Sequence, residues 1–174
     1  MARLETFADG ADGLVAEAVR LDRLYRGARA REILSVARDR YGDGLALVSS
    51  FGAESAVLLH LAAEVDPTIP VLFIDTRKLF PDTLRYRDTL VERFGLTDVR
   101  TLGPDRDDLA ERDPGGLLWM SDTDTCCDIR KVRPLARGLA GFSAWISGRK
   151  RFQASSRSDI PVFESDGLRI KVNP

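Results

Sequence analysis

The chain has two cysteines, Cys126 and Cys127, and they are adjacent in the stretch SDTDTCCDIRKVRP. Consecutive Cα atoms lie about 3.8 Å apart across a trans peptide, whereas a disulfide prefers about 4.4–6.8 Å. A structural disulfide between the two is therefore disfavoured. Two neighbouring thiols can instead bind a metal or cluster, take part in redox chemistry, or pack as small apolar side chains. Lys131, four residues beyond Cys127, adds a positive charge that favours thiolates.

A run of cations surrounds and follows this segment. Between Ile129 and Arg157 the sequence has eight Lys or Arg and no acidic residue, which indicates an anionic partner or a solvated basic face. The net charge of −1 and the few interleaved aromatics argue for a ligand smaller than nucleic acid. Arginine forks match phosphate and sulfate oxygens, so the cations that follow WISG are candidates: Arg149, Lys150, Arg151 and Arg157.

Two loops carry the other residues that could do chemistry. SSFGAES, Ser49–Ser55, joins a strand to a helix, and N–H groups at a helix N-terminus attract phosphate or sulfate. The loop is neither a Walker A motif nor a dinucleotide fingerprint, and an ordinary capped helix remains an alternative. In FIDTRKLFPDT, Asp75 and Thr76 follow a second strand. They could read the edge of a base or a ribose, or Asp75 could form a turn.

Apolar periodicity predicts helices that alternate with strands. Helical spacing over Leu14–Tyr41, with a break near Gly27, precedes a short apolar run at Leu45–Ser50 that is typical of a buried strand. The same criteria predict helices over AESAVLLHLAAEV and PDTLRYRDTLVERFG, and strands over Pro70–Asp75, DVRTL and FSAWIS.

This alternation predicts an α/β fold, a three-layer sandwich with a mainly parallel sheet. The C-terminal part predicts a hairpin around Asp166 and Gly167. Ligands of such sheets bind at the carboxyl ends of the strands, which is where both loops lie. At 174 residues and 44% hydrophobic composition, we expect one domain over residues 1–174, located in the cytoplasm, with no membrane or nucleic-acid partner.

Four motifs in order resemble the sulfonucleotide reductases of assimilatory sulfate reduction. They are SSFGAESAVLLHL, FIDTRKLFPDTLRYRDTL, CCDIRKVRPL and AWISGRKRFQASSRSDIPVFESD, and the resemblance covers about Leu45–Pro174. It implies an adenine nucleotide alpha hydrolase-like, Rossmann-like fold. It also implies thiol-dependent reduction of adenosine 5′-phosphosulfate to sulfite and AMP, with thioredoxin or glutaredoxin as reductant. A homo-oligomer is possible on this interpretation.

The positions that the resemblance implies for the sulfonucleotide fall into three groups. They are a modified loop around the phosphosulfate, strand ends at the adenosine, and cations on the anionic group. In that order the residues are Ser49, Ser50, Phe51 and Gly52; Ile74 and Thr76, with Gly148 at the next strand end; and Lys131 and Arg157.

In the family, adjacent cysteines mark the branch with a 4Fe-4S cluster, so the resemblance implies Cys126 and Cys127 as two of its four ligands. The family's other two ligands and its nucleophilic cysteine are expected beyond Pro174, in a tail that the chain apparently lacks. Three alternatives stay open: a cluster-free reductase of the 3′-phosphorylated nucleotide, an ATP pyrophosphatase-type adenylating enzyme, and a non-catalytic nucleotide-binding module.

Overall fold

The structure is a computed structural model and describes residues 2–149 and 160–174. Its centre is one six-stranded sheet. The strands are β1 (Leu45–Ser49), β2 (Val71–Ile74), β3 (Val99–Leu102), β4 (Ala144–Ser147), β5 (Phe163–Ser165) and β6 (Ile170–Val172).

The strand order is β3-β2-β1-β4-β6-β5. All neighbours pair in parallel except β5 and β6, which form the antiparallel hairpin that the sequence predicts. The chain leaves β1 toward β2 and β3, then returns to place β4 on the other side of β1. The strand order therefore reverses between β1 and β4, and such a switch point is where open α/β sheets bind ligands.

Helices connect and cover the strands. α1 and α2 precede the sheet, α3 and α4 lie in the β1–β2 and β2–β3 connections, and the remainder lie between β3 and β4. Their bounds are α1 (Ala2–Tyr25), α2 (Ala30–Tyr41), α3 (Ser55–Val65), α4 (Pro81–Phe94), α5 (Arg106–Arg112), α6 (Leu118–Ser121), α7 (Thr123–Cys127) and α8 (Arg133–Gly138), with a π-turn (Asp128–Val132) between α7 and α8 and a 3₁₀ turn at Gly42–Gly44.

Both faces of the sheet are buried, as a parallel sheet requires. Leu45 and Leu47 of β1 belong to the main core with α1, α2, α3 and α4, whereas Ala46 packs on the other face with Leu139, which follows α8. Successive residues of a strand point to opposite faces, so β1 serves two cores. This arrangement is the three-layer sandwich expected from the sequence.

The elements differ from the sequence predictions in part, since these contained no helix between β3 and β4, where α5, α6, α7 and α8 lie. The first helical region already begins at Ala2, and α3 begins at Ser55 rather than at the start of AESAVLLHL. α4 begins at Pro81, whose fixed φ suits a first turn, and ends before Gly95, which has a left-handed φ of 63°. Among the described residues, no helix is long and apolar enough to cross a bilayer.

Candidate functional site

The loop after β1 is held by a hydroxyl and by a buried ring. Ser49 is buried, and its Oγ accepts a 3.1 Å hydrogen bond from the backbone N–H of Phe51. Phe51 has a φ of 52°, which is unusual for a residue with a side chain. Its ring is fully buried, edge-on to Phe73 with centroids 5.4 Å apart. This packing offsets the backbone strain, while Ser50 and Gly52 line the cavity beside the loop.

The loop after β4 is also held by a serine hydroxyl that accepts a hydrogen bond from the backbone two residues later. Ser147 is buried, and its Oγ accepts a 3.3 Å hydrogen bond from the N–H of Arg149. The Arg149 guanidinium donates to Glu164 of β5 at 3.1 Å, and Lys171 of β6 donates to the same carboxylate at 2.8 Å. Burial raises the pKa of Glu164, but hydrogen bonds from Lys171 and Asn173 outweigh it and hold that pKa below its usual value. An anionic Glu164 therefore orients Arg149.

A cavity of about 710 Å³ opens between these two loops, at the switch point of the sheet. This volume lies in the range of small-molecule sites. The N-terminus of α3 forms part of its wall, so backbone N–H groups favour an anion there. The residues of the two loops and of the helix start that line it include Ser50, Gly52, Ser55, Ser147, Gly148 and Arg149.

The fold itself would accept a residue with a side chain at either of the two glycines in this cavity. Neither has a positive φ, and a Cβ added at Gly52 would lie 3.7 Å from Ser50 Oγ. A Cβ at Gly148 would lie 3.6 Å from Leu58 Cδ2. Both distances are ordinary van der Waals contacts. Bare backbone on the wall of a cavity is what a closely approaching ligand needs.

The loop after β2 is a tight turn closed by its own side chains. Asp75 Oδ1 accepts a 2.9 Å hydrogen bond from the N–H of Arg77, and Thr76 Oγ1 accepts one of 3.3 Å from the N–H of Lys78. Arg77 has a φ of 60°. Of the two interpretations left open by the sequence, Asp75 is seen as a turn residue.

Both cysteines lie on a helix that faces a second cavity. α7, the π-turn and α8 follow one another without a break, and Cys126 and Cys127 end α7. Cys126 is buried and Cys127 is partly exposed. The cavity has a volume of about 600 Å³ and is lined from the helix by Thr123, Cys126, Cys127, Arg130 and Lys131, and from other elements by Thr76, Lys78, Phe80 and Trp119.

A buried ion pair ties this helix to the sheet edge. The side chains of Arg130 and Asp113 are 5% and 2% exposed, and they are joined by a short hydrogen bond. Arg130 Nη1 also donates to the backbone carbonyl of Thr76 at 2.8 Å. The Arg130 guanidinium and then the N–H of Leu118 hold the pKa of the Asp113 carboxyl below its usual value. The thiol-bearing helix is therefore fixed to the loop after β2.

The structure places the sequence-predicted residues at one edge of the sheet. Ser49 pairs in register with Phe73, and Val48 with Ser147, so the loops after β1, β2 and β4 leave the same edge. Two groups form there. Ser49, Ser50, Phe51, Gly52 and Gly148 lie at the switch point, and Ile74, Thr76, Lys131, Cys126 and Cys127 lie at the end of β2 and at the second cavity. Arg157 lies outside the described residues.

Some residues at this edge were not assigned from the sequence. Arg130 was counted only as part of the basic run, and its partner Asp113 lies 17 residues away. Phe80 and Trp119 are exposed aromatics on the wall of the second cavity. Lys78 and Phe80 stand inside the DTRKLFP loop, which was the available signal, whereas Trp119 gave none beyond its type.

Fold and site together define an α/β protein with a switch-point cavity at an anion-favouring edge of its parallel sheet. A phosphoadenosine phosphosulfate reductase domain model matches residues 44–174. The chain is 54% identical to an adenosine 5′-phosphosulfate reductase of Mesorhizobium japonicum over 98% of this chain and 68% of that protein. It is 50% identical to a protein of the same name from Chelativorans sp., over 91% and 65% respectively. The chain thus spans about two thirds of the length of these relatives.

A solved structure shows the same fold. The phosphoadenylyl-sulfate reductase of Candida auris, described as a phosphate complex, has a TM-score of 0.74 and 24% identity, over 90% of this chain and 77% of that one. The present chain therefore belongs to the phosphoadenosine phosphosulfate reductase family. The family and fold expected from the sequence are confirmed.

Proposed function

We propose that this chain carries the sulfonucleotide-binding part of an enzyme that reduces adenosine 5′-phosphosulfate to sulfite and AMP in sulfate assimilation. The observation that carries the proposal is that Cys126, Cys127 and Lys131 line one cavity at the sheet edge that also holds the switch-point cavity. The names of the two relatives at 54% and 50% identity support the choice of substrate.

In this proposal the switch-point cavity holds the adenylate. Ser50 and Gly52 border the phosphosulfate, with the α3 N-terminus behind it. Ser49 and Phe51 are buried, so they hold the conformation of that loop from the protein interior. Ile74 and Thr76 contribute the adenosine-reading strand end, and bare backbone at Gly148 lets the nucleotide approach. Lys131, and Arg157 from outside the described residues, meet the sulfate charge.

The second cavity suits a 4Fe-4S cluster as far as the described residues go. Two thiols at adjacent positions share its wall with two cations, Arg130 and Lys131, and thiolates are the ligands such clusters take. Arg130 Nε is buried and has no hydrogen-bond partner within residues 2–149 and 160–174, so the wall offers a donor for an anionic group. Within the same residues, no group of three or more Cys, His, Asp or Glu could hold a metal.

Cys126 and Cys127 would be two of the four ligands of this cluster, and the other two would come from outside the 174 residues. When bound, the cluster supplies an iron–sulfur centre whose potential depends on the hydrogen bonds and charges around it. The part played by this chain is to present Lys131 and Arg130 beside it and to keep both thiols on one wall.

The proposed reaction is a sulfur transfer. A cysteine thiolate from outside the 174 residues attacks the sulfate sulfur, the bond from sulfur to the bridging phosphate oxygen breaks, and AMP leaves. The product is an S-sulfocysteine, and a thioredoxin-like dithiol then releases sulfite as it is oxidised to a disulfide. Covalent catalysis divides one difficult displacement into two steps. Lys131 would balance negative charge on the transferring group.

Reduction of the 3′-phosphorylated nucleotide is the second candidate. It is favoured by the family's own description and by the basic residues Arg149 and Lys131 at the edge, which could hold a further phosphate. An ATP-using adenylating enzyme loses support, since the chain belongs to a different family. Anaerobic turnover of both nucleotides with a thioredoxin dithiol, by a protein that also carries the proposed nucleophilic cysteine, would separate the two reductases.

Titration calorimetry of the chain with adenosine 5′-phosphosulfate and with AMP tests the binding proposal. We expect both to bind and Arg149→Gln to weaken binding roughly tenfold, since it removes a charged donor from the cavity wall. Arg93→Gln is the matched control, because Arg93 is an exposed arginine near the C-terminus of α4. If neither nucleotide gives a measurable heat of binding, the binding proposal is wrong.

A further inference from the structure

The helix that bears the cysteines contains one wide turn. The backbone N–H of Arg133 donates to the carbonyl of Asp128, five residues earlier. An α-helix would use the carbonyl four residues earlier. The turn therefore holds one extra residue, and such single π-turns often occur at functional sites.

Pro134 explains why the wide turn forms here. It lies inside the uninterrupted helical run from Thr123 to Gly138, one residue after the start of α8. Proline has no N–H to donate to the carbonyl four residues earlier, which is that of Arg130, and its ring collides with that carbonyl in a regular α-helix. Opening the preceding turn relieves the collision without ending the helix.

The extra residue changes which side chains share a face. In a regular α-helix Lys131 would lie roughly 140° around the axis from Cys126, past Cys127. A five-residue turn brings it back by roughly 80°, to a direction between the two cysteines. A regular helix would also place Lys131 beside Cys127, four residues earlier, so the wide turn matters for the approach of Lys131 to Cys126, and the cavity wall includes all three residues.

We propose that Pro134 is a positioning residue, which holds the π-turn open and so turns Lys131 from beyond Cys127 to a direction between the two thiols. The ion pair of Arg130 with Asp113 and the hydrogen bond of Arg130 to the Thr76 carbonyl hold the open turn against the sheet edge. The consequence for ligand binding rests on the proposed function, in which Lys131 meets the sulfate.

A nuclear magnetic resonance measurement tests the backbone part without any ligand. Scalar couplings across hydrogen bonds identify the carbonyl that accepts from the N–H of Arg133. We expect Asp128 in the wild-type chain and Ile129 in Pro134→Ala, since alanine restores the N–H and removes the ring. The control is Pro67→Ala in the exposed turn after α3, which should leave the Asp128 coupling in place.

A double-mutant cycle tests the ligand part. Lys131→Ala is expected to weaken adenosine 5′-phosphosulfate binding roughly tenfold, and Pro134→Ala to weaken it by a similar factor. If Pro134 acts through Lys131, the double variant should bind no more weakly than either single variant. Pro67→Ala combined with Lys131→Ala should equal Lys131→Ala alone.

The outcomes separate the two proposals. An Asp128 coupling that persists in Pro134→Ala, unchanged binding by that variant, or its failure to fold would overturn the positioning role. If the wild-type chain does not bind the nucleotide, or Lys131→Ala has no effect, the proposed function fails, while the coupling to Asp128 or Ile129 still decides how the turn is held.

Discussion

At the residue scale, the site depends on exposed backbone at two glycines as much as on charged side chains. Ser49 and Ser147 each accept a hydrogen bond from the backbone of their own loop, which fixes the loop conformation, and Ser147 also lines the cavity. Gly52 and Gly148 present backbone to the space between them. The ligand contacts expected there are therefore to backbone N–H groups, the N-terminus of α3, serine hydroxyls and Arg149.

The variant Gly148→Ala tests whether Gly148 serves nucleotide binding rather than the stability of the fold. No crowding or positive φ opposes a Cβ at Gly148, so the free energy of unfolding should stay the same or rise by about 0.4–1 kcal/mol. Nucleotide affinity should fall, because the methyl group occupies space that the ligand needs. Urea unfolding and calorimetry measure the two quantities.

Gly27→Ala is the matched control for this substitution. A Cβ at Gly27 also meets nothing within 4 Å, and Gly27 lies in the turn between α1 and α2. It should match Gly148→Ala in stability and leave affinity unchanged. Full nucleotide affinity in Gly148→Ala would show that the glycine is not a ligand contact.

At the element scale, one buried arginine connects three parts of the chain. Arg130 lies in the π-turn, Asp113 follows α5, and the Thr76 carbonyl belongs to the loop after β2. Lys78, in the loop after β2, forms a second connection, since its Nζ donates a hydrogen bond to the carbonyl of Gly116 at 2.7 Å. The loop that would read the adenosine and the helix that bears the thiols therefore form one unit.

Asp113→Asn tests this unit through pH. The pKa of Asp113 is depressed, so its contribution to stability is complete above the unfolded value of about 3.9 and is lost as the pH falls through the folded value. We expect the variant to be less stable at neutral pH, because the buried guanidinium loses its carboxylate. The difference from wild type should hold down to about pH 5 and shrink below about pH 4.

Urea unfolding at a series of pH values measures this difference. Asp39→Asn serves as control, since Asp39 is an exposed aspartate on α2. Its stability should follow the wild-type curve at every pH. An Asp113→Asn variant as stable as wild type at neutral pH would show that the pair does not hold the helix to the sheet.

At the scale of the whole molecule, periodicity in the sequence predicted the parallel strands and the helices of one layer, but not α8, which packs on the other face of the sheet. The apolar run at Leu45–Ser50 became β1, Pro81 began α4, and Asp166 and Gly167 turned the hairpin. These features depend on local spacing and on turn chemistry, so a single sequence reports them. The shared edge of the three loops followed from parallel pairing alone.

Other features of the site depend on contacts between distant residues. The pairing of Arg130 with Asp113 and the tie to Thr76 join residues that no local pattern relates. The π-turn was also missed, although Pro134 closes the very stretch that holds the cysteines. The roles assigned to Ser50, Gly148, Lys131 and Arg157 rest on the resemblance and remain predictions.

The central claim is that an adenylate lies between the loops after β1 and β4 with its sulfate directed toward the thiol-bearing helix. A crystal structure of the chain with adenosine 5′-phosphosulfate tests this claim most directly. We expect the phosphosulfate beside Ser50 and Gly52 and the sulfate within reach of Lys131. A nucleotide bound away from the switch point, or with its sulfate directed away from Cys126 and Cys127, would contradict the account.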